Sequence, residues 1–242
     1  MLGDSEWQVV RNKSAKRYKL IGQKGCAPTA PNGKFKAADI KIPILISNVS
    51  KDTSEEDINN YIRSLNDLQS ISKKSDVVAL QETCLLLHDI PVLGTISNDF
   101  EYTGKSAVDT STGPLIGRPY GGVAILWRKG IFDSVSIIKC TNDRIVAIKA
   151  SIGRRAILVF SVYMPTNSLT NLPIFTDVLG EINAIIDNEN VESVFILGDF
   201  NAHPHELFYN ELIAFCSEQS WVCADVEKLG QQSNTYTYCD AS

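Results

Sequence analysis

Apolar positions along this chain cluster in short runs separated by polar, glycine- and proline-containing stretches, and the period within each run predicts an element. Residues 42–47 (IPILIS) form a run that suits a short buried strand. Asp52-Thr53-Ser54-Glu55-Glu56 then marks a helix start: Thr53 or Ser54 can cap free N–H groups, and the acids sit at the positive end of the helix dipole. Ile58, Tyr61, Ile62, Leu65 and Leu68 follow at helical spacing. A second buried strand is predicted over 76–80 (DVVAL), ending at Gln81-Glu82. From 90 to 120, Gly, Pro, Ser, Thr and Asp are frequent, which predicts a long surface loop. Strand-like runs over 122–127, 135–139, 145–149 and 156–163 come in close succession and predict antiparallel meanders. Over 173–187 a helix is predicted, with Ile174, Phe175, Val178, Leu179, Ile182 and Ile185 on its apolar side. A strand over 193–197, a helix over 207–217 and a short strand over 236–239 complete the reading.

Strands and helices thus mix without strict alternation. The fold class this predicts is α/β in the broad α+β sense, a layered α/β sandwich with mixed, largely antiparallel sheets rather than a doubly wound parallel sheet. Residues 1–41 stand apart. They hold several glycines and prolines, little apolar periodicity and a basic cluster at Arg11, Lys13, Lys16, Arg17 and Lys19. Such a segment reads as a basic, poorly ordered arm, either a solvated tail or a piece that contacts nucleic acid or directs nuclear import.

Composition narrows the function classes. The 242 residues suffice for one large domain, and 44% hydrophobic with 21% charged residues is ordinary for a globular protein. Since no apolar run approaches the roughly 18–20 residues of a membrane helix and the N-terminus lacks a secretory signal's apolar stretch, an intracellular place, nucleus or cytoplasm, is expected. Six cysteines include no CxxC pair, so free thiols are expected rather than disulfides or a zinc site. The net charge of −5 is uneven: residues 1–41 carry nine Lys/Arg against three Asp/Glu, a net +6, which leaves −11 for the other 201 residues. That acidic remainder argues against tight nonspecific DNA binding, which lives on phosphate neutralisation. It still allows an enzyme that meets nucleic acid briefly through a local basic surface and a metal.

Three segments share one design, a buried apolar strand that ends in polar residues: VVALQET at 77–83, LVFSVYMPT at 158–166 and VFILGDFNAHP at 194–204. Burial fixes the strand backbone, so the terminal side chains are held rigidly at a rim of the sheet, as a catalytic site requires. Glu82 and Asp199 are the paired carboxylates, and two such acids at one rim call for a cation. Oxygen ligands without a His/Cys set favour Mg²⁺ or Mn²⁺ over zinc. Gly198 lets the backbone and a ligand approach closely. Asn201 offers an uncharged donor suited to a phosphate oxygen, and Tyr163 can present its hydroxyl to the same place. Taken singly, each of these is more often a turn residue, a cap or a core wedge; it is the three together, in this order, that point to a site.

ALQET, SVYMPT and GDFNAHP, with RPYGGVAILW at 118–127, resemble the endonuclease/exonuclease/phosphatase superfamily, most closely the endonuclease domain of LINE-type (non-LTR) retrotransposons of arthropods. The resemblance covers residues 65–242. It implies Glu82 as metal ligand, Tyr163 as support for the phosphate in the transition state, Asp199 as the group that orients or deprotonates the attacking water or serves the leaving group, and Asn201 as binder of the scissile phosphate. Gly121 and Gly122 would be structural, opening a central strand. The family's opening strand carries an Asn near the metal, and Asn48, after the apolar run, is the candidate for that place. Residues 1–62 otherwise look less like an endonuclease start than like the strand and helix of an RRM-like module of mobile elements. The expected organisation is therefore a basic arm (1–41), a strand–helix segment (42–62) and an endonuclease-type domain (63–242). The family also closes with strands bearing an Asp and then a Ser-Asp-His signature. The sequence ends at Asp240-Ala241-Ser242, before that segment, so the resemblance implies a domain truncated at its C-terminal strands and much slower than a complete one.

The activity so implied is Mg²⁺-dependent DNA nicking, with DNA as partner, no membrane, no small-molecule cofactor beyond the metal, and no indication of oligomeric state. Two alternatives stand beside it: an inactive remnant or nucleic-acid-binding fragment, and a phosphatase of the same superfamily.

Overall fold

The computed structural model describes residues 9–11, 19–21, 37–41, 68–111, 113, 115 and 117–224. Asn48, the strand expected over 42–47, most of the helix after Asp52 and the strand expected over 236–239 lie outside the described residues. Within residues 1–41 the described pieces are strands: β1 (Val9–Arg11) pairs antiparallel with β2 (Lys19–Ile21), and β3 (Ala37–Lys41) joins a larger sheet.

Seven further strands, with β3, make up two four-stranded sheets. The first holds β3, β4 (Val77–Gln81), β6 (Val123–Arg128) and β5 (Phe100–Lys105), in that order. The second runs β10 (Ser193–Asp199), β9 (Arg155–Tyr163), β8 (Ile145–Ile152), β7 (Ser134–Ile138). β7, β8 and β9 form the antiparallel meander that their close spacing predicts. Two pairs are parallel: β3 with β4, and β10 with β9. The second needs a crossover, which α1 (Leu172–Asn188) supplies. This is the mixed layered sandwich expected from the sequence.

Side-chain alternation assigns each face. Val77, Val123, Ile125 and Trp127 of the first sheet meet Val146, Ile148, Ile157 and Val159 of the second in a core between the sheets. The opposite faces carry two further cores. Val78, Leu80 and Leu126 pack against Leu68, Leu85, Leu93 and Ile96. Ile145, Leu158, Phe160 and Val162 pack against Phe175, Val178 and Ile182 of α1 and Phe208 and Leu212 of α2 (Leu207–Glu218). The central strands are buried on both faces, which is why their sequences are continuous apolar runs rather than alternating ones. α1 begins with Pro173 in its first turn, where a missing N–H costs nothing. Of its predicted apolar side, Ile174 is exposed and the other five residues are buried.

One expectation is corrected. The stretch 90–120 is not all loop: a 3-10 turn at Ile90–Thr95 and strand β5 lie in it. β5 is an edge strand paired only with β6 within its sheet, and only its first residue, Phe100, is buried. A half-solvated edge with Gly104 and Lys105 leaves little apolar pattern to read. Cys84, Cys140, Cys216 and Cys223 are free thiols. Among the described residues no helix is long and apolar enough to cross a membrane.

Candidate active site

Glu82, Tyr163 and Asp199 meet because three strands end at the same rim. Glu82 directly follows β4 of the first sheet, whereas Tyr163 and Asp199 are the last residues of β9 and β10 in the second. Parallel pairing sets Asp199 in register with Tyr163. Across the sheets, the Tyr163 hydroxyl donates to Glu82 Oε1 at 2.5 Å. A hydrogen bond to an ionised acceptor in a partly buried place is among the stronger kinds. Burial raises the phenol's pKa well above its ordinary value. The Glu82 hydrogen bond and the charges of Glu82 and Asp199 raise it further, against the opposing pull of Arg144. Tyr163 therefore keeps its proton and acts as a neutral donor.

One residue below the rim, the sheets are joined by a buried polar pair. Gln81 Nε2 donates to Ser161 Oγ at 3.0 Å, and Ser161 Oγ donates to the Leu80 carbonyl at 3.1 Å. In an apolar interior such a pair is costly unless satisfied, so it specifies the register of one sheet on the other. The loop after β4 is pinned as well: the amides of Thr83 and Cys84 donate to the carbonyls of Gly122 (3.3 Å) and Gly121 (2.7 Å). Gly122 has φ +87°, and a Cβ there would lie 2.5 Å from Thr83 Oγ1. Glu82 and Cys84 themselves take φ values of +53° and +52°. Backbone in this region is uphill for such residues and persists where the surroundings impose it.

The loop after β10 is cross-tied to the loop after β9. The Met164 amide donates to the Asp199 carbonyl at 2.9 Å, and Asn201 Nδ2 donates to the Met164 carbonyl at 2.9 Å. The Asn201 amide donates to Asp199 Oδ1 at 3.2 Å. Asn201 has φ +46°, which asparagine tolerates. Asn167 completes the tie: its Nδ2 donates to Glu206 Oε2 at 2.8 Å, and its Oδ1 accepts from the Phe208 amide at the start of α2. His203 lies in this loop, its carbonyl accepting from the Glu206 amide.

Four of the five residues singled out from the sequence thus stand around one rim, and the fifth, Asn48, is outside the described residues. Sequence reading missed Gln81, Ser161 and Arg144. Arg144 carried a signal, as a charged residue at the mouth of the apolar strand β8. Ser161 inside the apolar run of β9 carried another. Among the described residues no three His, Cys, Asp or Glu side chains group to hold a metal. The donors gathered here are hard oxygens from two carboxylates, both close enough to act on the Tyr163 phenol. That set suits Mg²⁺ or Mn²⁺, which bind through one or two carboxylates and complete their shell with water and phosphate, better than a zinc cage.

The model of the endonuclease/exonuclease/phosphatase family matches residues 47–213. Among solved structures, the catalytic domain of human Nocturnin with a bound sulfate anion is similar in fold at 16% identity, over 72% of this chain and 69% of that one, with a TM-score of 0.52. The endonuclease domain of TRAS1, a telomere-specific non-LTR retrotransposon, matches at 12% identity over 76% of this chain and 71% of that one, TM-score 0.49. The 3′ phosphatase NExo from Neisseria, bound to a product DNA hairpin, matches at 17% identity over 61% and 55%, TM-score 0.41. No curated protein matches the chain.

Proposed function

The chain belongs to the endonuclease/exonuclease/phosphatase family, and from that membership we propose that it is a Mg²⁺- or Mn²⁺-dependent phosphodiesterase that nicks DNA, of the kind found in LINE-type retrotransposons of arthropods. One observation carries the reading. The Tyr163 hydroxyl reaches from one sheet to Glu82 on the other, with Asp199 in register beside it, so two carboxylates and a protonated phenol face one rim.

In this reading Glu82 is the metal-side carboxylate, joined by Asn48 as the motif resemblance implies. A divalent ion bound there supplies positive charge that polarises a phosphoryl oxygen and offsets charge developing on it. Asp199, fixed through its backbone and through the Asn201 amide, orients and accepts a proton from the attacking water. The Asn201 side-chain amide has two N–H groups; one is spent on the Met164 carbonyl, which aims the plane of the group and leaves the other for a phosphate oxygen. Tyr163 keeps its proton, and its single O–H, held on Glu82 Oε1 without substrate, would turn from that carboxylate to the scissile phosphate when substrate binds.

The test is conversion of supercoiled plasmid to open circle with Mg²⁺, with EDTA, and by Asp199→Ala, beside release of phosphate from phosphomonoesters. The expected result is Mg²⁺-dependent nicking that EDTA and Asp199→Ala abolish. Asp199-dependent phosphate release without nicking would replace this reading with a phosphatase.

A further inference from the structure

The turn at 140–144 lies beside the site and is held from two sides. Lys105, at the end of β5, donates through Nζ to the carbonyls of Cys140 and Asn142, both at 2.7 Å. From α1, Glu181 accepts from the Thr141 amide (2.5 Å), the Thr141 hydroxyl (2.8 Å) and the Asn142 amide (3.0 Å). One charged side chain therefore satisfies the turn's carbonyls and another its amides, which holds this connection between β7 and β8 in one conformation.

What the turn delivers is Arg144. Its amide donates to Asn142 Oδ1 at 2.9 Å, and beyond the turn it meets Tyr163. The Arg144 carbonyl accepts from the Tyr163 amide at 3.0 Å, Nη1 donates to the Tyr163 carbonyl at 3.1 Å, and the guanidinium lies 5.7 Å from the centre of the Tyr163 ring. β8 and β9 pair from Ile145 and Val162 onward, so these bonds extend that ladder one residue further, to the end of β9 that β10 pairs on its other side.

We propose that Arg144 is a positioning residue that fixes the backbone and ring of Tyr163, and that Lys105 and Glu181 fix Arg144 in turn. The proposal rests on the reading above in giving Tyr163 a part in hydrolysis. A phenol that must meet a phosphate within a fraction of an ångström cannot be placed by its own hydroxyl bond alone. Arg144 supplies constraint at the other end of the residue, through a planar group that bonds the carbonyl and faces the ring together.

The experiment is a double-mutant cycle on nicking kinetics with Arg144→Gln, Arg144→Lys, Tyr163→Phe and the Arg144→Gln/Tyr163→Phe pair. Misplacement of a reacting group costs up to about 100-fold, so Arg144→Gln is expected to lower kcat by about 10- to 100-fold with KM unchanged. Arg144→Lys should recover part of that, because an ammonium can still donate to the carbonyl. The double variant should be no slower than Tyr163→Phe alone, since Arg144 acts through that residue. Losses that multiply in the double variant, or a raised KM with kcat intact, would overturn the proposal. A second readout needs no turnover: the ring resonances of ¹³C-labelled Tyr163, identified by their loss in Tyr163→Phe. These should shift or broaden in Arg144→Gln, and also in Lys105→Met, which serves if Arg144→Gln does not fold. Unchanged resonances in a folded variant refute the proposal. If the wild-type chain hydrolyses no phosphodiester, the proposed activity falls, and the ring resonances still decide whether Arg144 positions Tyr163.

Discussion

Replacing Gly198 with alanine would put a Cβ 2.0 Å from the carbonyl oxygen of Val162, and within 3 Å of that residue's carbonyl carbon and nitrogen. Val162 is the register partner of Gly198, fully buried in the neighbouring strand, so backbone would meet backbone with no flexible side chain to yield. Gly198 also has φ +149°, a conformation that L side chains rarely adopt. Overpacking of this kind costs about 1–3 kcal/mol, and a residue forced into such a backbone region costs about 1–3 kcal/mol more. At roughly 2–4 °C per kcal/mol for a chain of this size, Gly198→Ala should melt about 5–20 °C below wild type. Asp199 is the next residue, so a displaced β10 should also slow nicking by about 100-fold. The matched control is Gly180→Ala in α1, where nothing lies within 4 Å of an added Cβ. That change should stabilise by about 0.4–1 kcal/mol through helix propensity and unfolded-state entropy. Urea denaturation followed by circular dichroism, with nicking measured on the same samples, compares the two. A Gly198→Ala protein within about 1 kcal/mol of wild type and fully active would refute the reasoning.

Ser161→Ala removes the acceptor of Gln81 Nε2 between the sheets and should destabilise by about 1–3 kcal/mol, read from the urea midpoint; pairing it with Gln81→Leu should recover most of the loss. Gly122→Ala places a methyl against Thr83 Oγ1 beside the Glu82 loop, so it should weaken Mg²⁺-dependent nicking more than it lowers the melting temperature. Cys140 and Cys216 have pKa values raised by burial to about 11, against an ordinary 9.0. Their thiols ionise earlier in the unfolded chain than in the folded one. Stability should be flat below pH 9 on their account and fall as pH rises from about 9 towards 11. Urea midpoints at pH 8 and pH 10 should therefore separate less in Cys140→Ser/Cys216→Ser than in wild type.

The central strands and α1 were legible in the sequence because their burial is simple: β4 and β9 are buried on both faces and read as apolar runs, and α1 buries one helical side. β10, expected as a buried strand, is an edge strand only partly buried, yet its apolar residues still pack on both cores. β5 was not, since an edge strand with one buried residue has neither signature. The site was legible as far as it is local. Glu82, Tyr163 and Asp199 each close a readable strand, and reading strand ends as candidate positions picked out three residues that the fold brings to one rim. The contacts that assemble the site join residues about 80 positions apart, such as Gln81 with Ser161 and Tyr163 with Glu82, and no local pattern encodes such a pairing. Asn201 shows the same limit. Its type suggested a phosphate donor, whereas its bond to the Met164 carbonyl depends on where β9 ends beside β10. Arg144 went unread because its partner lies on the next strand, across a hairpin.

The central claim is that Glu82 and Asp199 belong to one metal-dependent site with different parts in it. The most direct measurement is the rate of plasmid nicking as a function of Mg²⁺ concentration for wild type, Glu82→Gln and Asp199→Ala. A metal-side carboxylate and a water-orienting one separate in this assay. Glu82→Gln should need much more Mg²⁺ to reach half its maximal rate, whereas Asp199→Ala should lose about 100-fold or more of its maximal rate at any Mg²⁺ concentration. Nicking that neither substitution changes, or that proceeds equally in EDTA, would contradict it.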